Sequence, residues 1–215
     1  MVAGVGINDL GYNVATYENV GGKIKQVLCP YYNRWKDILR RTNPKYERPS
    51  GNNYLGCSVD SGWIHASQFK GWMEQQDWEG LQLDKDILVK GNKVYSSETC
   101  AFVPAYINTC LSINQGMNNG LAIGVKIESR NKKATSKNFR ADINQMSGGI
   151  KYLGAFYTEK EAHSEWQLAK AVEIELYINR YAKEDCFRTD VAGALMQRVW
   201  QLRLDNANGV KTKSL

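Results

Sequence analysis

The most regular signal in the chain is alternation between apolar and polar positions beyond residue 124. In GVKIESR (124–130), Val125 and Ile127 take one face and Lys126, Glu128 and Arg130 the other. NFRADIN (138–144) repeats the pattern, with Phe139, Ala141 and Ile143 opposite Arg140, Asp142 and Asn144. A third run, GGIKYLGAF (148–156), follows. A period of two predicts three strands with one buried and one wet face. Thr158 and Glu161 then stand at capping-box spacing. Ala162, Trp166, Ala169, Val172 and Leu176 recur at helical spacing, predicting a helix whose apolar stripe covers the sheet. A last helix is predicted from Asp190 to Asn208-Gly209, with Val191, Leu195, Val199 and Leu202 inward, and the tail VKTKSL is predicted to fray.

The first half is less regular. Residues 1–28 are Gly-rich and read as a short hairpin or ordered arm. Tyr32, Trp35, Ile38 and Leu39 predict a helix over 31–41, and Ile64, Ala66, Phe69 and Met73 another over 62–73. Between them, 42–53 is polar and carries Pro44, Pro49 and Gly51, as an exposed loop would. Residues 81–104 read as a strand, a Gly91-Asn92 turn and a second strand. The fold class expected is α+β. Its parts are a first domain over 1–110, an Asn- and Gly-containing linker over 111–123, a three-stranded sheet with its helix over 124–183, and a C-terminal helix and tail over 184–215.

Charge sharpens this picture. The net charge is +6, and residues 124–153 hold seven Lys/Arg against Glu128 and Asp142, so +5 of it falls there. A concentrated cationic strip is the footprint of a polyanion partner, because each neutralised phosphate releases condensed counterions. The composition, 43% hydrophobic and 23% charged, is that of a folded chain. No run of 18 apolar residues stands in it to cross a membrane, and no secretory signal is read at its start. Five cysteines without a Cys-x-x-Cys pair suit free thiols in reducing cytoplasm; a metal shared by Cys29, Cys57 and Cys100 is left open.

The motifs GV (124–125), FRADI (139–143), LGAF (153–156) and TEKEA (158–162) together resemble the AP2 DNA-binding domain. That resemblance implies three antiparallel strands on one helix, with the sheet in the major groove of double-stranded DNA. Carried over motif by motif, it implies that Lys126, Glu128, Arg130, Arg140, Asp142, Asn144 and Tyr152 face the duplex. Arg and Lys pair with guanine or phosphate, and Asn with adenine. Glu128 stands where that family usually has Arg. The segments CPYYNRWKDILRR (29–41), GCSVDSGWIHASQFKGWM (56–73) and LDKDILVKGNKVYSSETCAFVP (83–104) resemble phage-encoded HNH endonucleases, which are often joined to an AP2 module. This implies a phage or prophage protein of homing-endonuclease descent, working in the cytoplasm of a bacterial host.

An HNH nuclease needs a histidine to activate water and ligands for a divalent metal. The position matching that histidine falls at or beside Lys85, and only Gly91-Asn92 of the pattern stands. His65 and His163 are the two histidines, and both read as structural or surface residues. Two readings stay open. In one, the first half is a degenerate scaffold and the protein binds DNA without cutting it. In the other, Asp84 and Asp86 hold Mg2+ or another divalent cation, Lys85 orients water or stabilises the phosphorane, and Asn92 and Glu98 assist. On a regular strand, Asp84 and Asp86 would share a face and Lys85 would point away, so the trio converges only if the strand is interrupted. A reading of another class is a phage factor that binds and inhibits a host protein, using an aromatic surface of Tyr31, Tyr32, Trp35, Trp63, Trp72 and Trp78.

Overall fold

The computed structural model describes residues 1–46, 54–113, 120–128 and 137–215. The fold is α+β with small sheets, and it divides into two compact units, Met1–Val103 and Pro104–Leu215.

The first unit opens with a hairpin, β1 (Ala15–Val20) and β2 (Lys23–Leu28), turning at Gly21-Gly22. Almost all of its residues are exposed. Helix α1 (Pro30–Thr42) begins with Pro30, whose missing N–H costs nothing in a first turn, and ends on Arg40 and Arg41, which complement the helix dipole. Its buried face, Trp35, Ile38 and Leu39, packs on α2 (Ala66–Met73) through Phe69 and Met73. The Trp35 indole N–H donates to the Trp63 carbonyl at 2.7 Å, satisfying a polar group inside this core. Strand β3 (Ser58–Val59) pairs in parallel with β5 (Val94–Tyr95), and β4 (Gln82–Asp84) pairs antiparallel with β6 (Ala101–Val103). The two strands flanking the Gly91-Asn92 turn, β4 and β5, do not pair with each other but join different partners.

The aromatic side chains that the protein-interaction reading needs on the surface are largely interior and pack as a core. Trp35 and Trp63 are buried, and Tyr31, Tyr32, Trp72 and Trp78 pack against the same core, with Trp72 stacked on Phe102. Burying aromatic area is the strongest packing contribution available to so small a unit.

The second unit begins earlier than the expected linker. Helix α3 (Ala105–Cys110) packs on α4 (Glu159–Tyr181): Tyr106 stacks on Tyr177, and its hydroxyl donates to Glu184 at 3.1 Å. The sheet is antiparallel and ordered β7 (Val125–Ile127), β8 (Phe139–Asn144), β9 (Ile150–Phe156). Val125, Ala141 and Ile143 are buried beneath α4, as their alternation predicts, but Ile127 is exposed. Gly124 has φ +79°, and a Cβ there would collide with the Trp166 indole, so the chain enters β7 flush against α4. The Thr158–Glu161 capping box forms with both of its reciprocal bonds.

The apolar stripe of α4 is rotated from the one expected. Ala162 and Trp166 are buried, whereas Val172 and Leu176 are exposed. The inner face continues instead through Ala171, Ile174 and Tyr181, and it also takes in polar groups with distant partners: His163, Gln167, Lys170 and Glu173. Helix α5 (Thr189–Ala207) lies along α4 with Val191, Leu195, Val199 and Leu202 fully buried and ends at Asn208-Gly209. Trp200 and Leu204 stand on its outer side, exposed. The tail does not fray as expected, since Thr212 is buried and hydrogen-bonded. Among the described residues no helix is long and apolar enough to cross a membrane.

Candidate nucleic-acid interface

On the face of the sheet turned away from α4, Lys126 and Arg140 are cross-strand partners, and Asp142 lies opposite Tyr152. Between Ala141 and Asp142 the register of β9 shifts by one residue at Leu153, a bulge followed by Gly154 at φ +141°, a conformation that suits glycine. Four side chains thereby converge. Arg140 Nε donates to both oxygens of Asp142 at 2.8 and 3.0 Å, and Lys126 Nζ donates to Asp142 Oδ2 at 3.2 Å. The Arg140 guanidinium also sits over the Tyr152 ring, 5.2 Å from its centre.

This corrects the expectation for Asp142. Its side chain is only 4% exposed, against 36% for Lys126 and 39% for Arg140. It is an anchor beneath two cations, not a group that reaches a base edge. The carboxylate pushes the Arg140 guanidinium further above its ordinary range, so that cation is permanent. Asp142 offsets one of the two cations it carries, and Glu128 also bears on Arg140. Tyr152 and Asn144 are exposed on the same sheet, and Glu128 is half-buried where β7 ends. Lys137 stands exposed near the start of β8, its Nζ 5.6 Å from the centre of the Tyr157 ring. Arg130 lies outside the described residues, as do Lys132 and Lys133.

Strand β7 covers only the first part of β8. Beside the start of β7, where the end of β8 is left without it, a cleft of about 60 Å3 opens next to Lys126, Asp142, Asn144, Trp166 and Lys170. Lys170 is buried, donates to the Cys110 carbonyl at 2.6 Å, and has its ammonium pushed down by burial. Glu173, one turn on, accepts from the Met146 amide at 3.1 Å. Periodicity alone could not have found this pair, because their partners come from segments far along the chain.

The second cluster expected from the sequence lies in the first unit. Strand β4 stops at Asp84, and the bend that follows brings Asp84, Lys85 and Asp86 together, as an uninterrupted strand could not. Asp84 Oδ1 accepts the amides of Asp86 and Ile87, both at 2.8 Å. Buried Lys85 donates to Asp86 Oδ2 at 2.8 Å, and the two carboxyl groups hydrogen-bond each other. Burial and the neighbouring Asp86 push Asp84 up to about 6, while Asp86 is held below its ordinary value by Lys85 and Asp84 despite its own burial. Asn92 closes the turn, donating to the carbonyls of Lys85 and Val94 at 2.6 and 2.7 Å.

One carboxylate is spent on backbone amides and its neighbour on an ammonium. Among the described residues, no three His, Cys, Asp or Glu come together to hold a metal ion. Cys57 and Cys100 are buried free thiols, and burial pushes Cys100 up to about 12. His65 does not serve this turn as a base: its Nδ1 lies 3.1 Å from Asp9, whose carboxyl Ser67 holds down at about 2.

Comparison with protein-family models, curated proteins and solved structures finds no match to this chain.

Proposed function

We propose that this chain is a DNA-binding protein of a phage or mobile element, acting in a bacterial cytoplasm, that grips duplex DNA with the open face of β7–β9. The observation that carries this reading is the pairing of Lys126 and Arg140 over the buried Asp142. The anchor holds two cations side by side without cancelling them, and their exposed ends suit neighbouring phosphates or a guanine edge. Exposed Asn144 and Tyr152 supply polar reach toward bases from the same sheet. Three antiparallel strands backed by a capped helix agree with what the AP2 resemblance leads one to expect. In this reading the turn at Asp84–Asn92 is a remnant of a nuclease site that now serves folding, because its donors are committed to the chain itself.

The test pairs two assays. Gel shifts on random duplex over a salt series should show affinity falling steeply with ionic strength. The triple variant Lys126→Gln, Arg140→Gln, Asp142→Asn removes the cluster's charges without stranding a buried one and should lose most of that affinity. A flat salt response, or a triple variant that binds like wild type, would refute the interface. Plasmid nicking in Mg2+ that disappears in Asp84→Ala would overturn the binder-only part of the reading. The protein-interaction alternative loses the aromatic surface that motivated it, since those rings pack against the core of the first unit.

A further inference from the structure

We propose that His163 is a proton-operated latch for the C-terminal tail, holding it when neutral and releasing it when charged. This stands apart from the DNA reading and does not depend on it.

His163 lies near the start of α4 with both ring nitrogens committed. Nδ1 bonds the Ile123 carbonyl at 2.9 Å, and Nε2 accepts the Thr212 amide at 3.0 Å. A carbonyl can only accept and an amide can only donate, so these partners select the neutral ring with its proton on Nδ1. The ring stacks on Trp166 and is buried, so a proton on Nε2 would meet an N–H head-on with no water to rescue it. The carbonyl side would be undisturbed, because Nδ1 donates in either state. Protonation therefore acts on one side only, the tail.

The tail is also held by other polar contacts. Gln167 donates to the Val210 carbonyl and to the Thr212 hydroxyl, both at 2.9 Å, and the same hydroxyl donates to Asp205 at 2.7 Å. Lys211 reaches Glu159 at 2.8 Å. These also give the charges around the ring: Glu159 on its own helix, Asp205 on α5 and Lys211 on the tail. The two carboxylates favour a charged ring and Lys211 opposes it. Burial outweighs them and lowers the ring's proton affinity below the ordinary 6.5. A group that binds its proton more weakly in the closed state contributes fully above that ordinary value. The contribution is lost as pH falls from it toward the lowered one. Opening of the tail should grow by up to about tenfold per pH unit across that window and then level off.

Hydrogen–deuterium exchange of the full chain tests this, with the segment 208–215 followed from about pH 7.5 to pH 5 and corrected for intrinsic exchange. The wild type should lose tail protection below about pH 6.5, and His163→Gln, whose amide does not titrate, should not. Unchanged wild-type protection, or an equal pH response in His163→Gln, would overturn the latch. Should that variant fail to fold, nitrogen NMR of wild-type His163 decides instead. The ring should titrate below 6.5 in step with the Thr212 amide; titration at the ordinary value, or a Thr212 amide that does not respond, would count against it.

Discussion

Two triplets of charged side chains in this molecule are near mirror images in composition. On the sheet, two cations share one carboxylate; at the end of β4, one ammonium pairs with Asp86, whose carboxyl in turn meets that of Asp84. In the first the minority charge, Asp142, is buried and the majority charges reach solvent. In the second the minority charge, Lys85, is again the buried member. Each cluster hides its odd member and offers a surplus of the other sign. The sheet cluster holds its charge on Arg140, whose guanidinium Asp142 pushes further above its ordinary range. The β4 cluster sheds part of its surplus by holding a proton up to about pH 6 on Asp84. A cation pair over a buried anchor is thus a durable binding surface, and a carboxyl pair fastened to its own backbone is a structural joint.

That contrast can be broken most forcefully by stranding the anchor. Lys126→Met with Arg140→Met leaves Asp142 buried without a counter-charge. The cost expected is roughly 2–4 kcal/mol, somewhat below that of a fully buried pair because both cations keep a third of their surface in water. Thermal denaturation should show most of it recovered when Asp142→Asn is added.

A smaller effect of opposite sign is expected at Asp84. Its folded value lies above its unfolded one. Its contribution is therefore in place below about pH 4 and is lost as pH rises through about 6. Asp84→Asn keeps an oxygen for the amides of Asp86 and Ile87 and removes the ionised form. It should stabilise the protein by about 1–3 kcal/mol at pH 8 and by nothing measurable at pH 4, as urea melts at the two pH values would show.

Asp142→Asn alone sharpens the comparison from the binding side. Freeing both cations should raise duplex affinity several-fold and steepen its salt dependence by about one phosphate contact. A fall in affinity with an unchanged slope would mean that Asp142 matters for positioning the cations rather than for limiting their charge. The smallest effect is expected at Asn144. Asn144→Ala should leave stability within about 0.5 kcal/mol and weaken discrimination at a single base pair, read by competition among duplexes differing at one position.

What was legible in the sequence was local. Alternation placed β7–β9, the Thr158–Glu161 spacing placed the start of α4, and Val191, Leu195, Val199 and Leu202 placed the inner face of α5. What was not legible depended on distant partners or broken periods. Asp142 reads as a wet residue because it alternates with Ala141 and Ile143; only the bulge at Leu153 and the cations above it reveal it as buried. Val172 and Leu176 read as part of the inner stripe of α4, but the buried face takes in Lys170 and Glu173, whose partners Cys110 and Met146 lie far along the chain. The convergence of Asp84, Lys85 and Asp86 likewise required the strand to stop where composition offered no reason for it to stop.

The exposed indole on α5 has a practical side. Of the six tryptophans, Trp35, Trp63 and Trp166 are buried, Trp72 and Trp78 are partly covered, and Trp200 alone is 63% open to solvent. Its emission should lie furthest to the red and be the first quenched by acrylamide. Anything that settles on the outer side of that helix would therefore announce itself as a blue shift, with no dye and no engineered label.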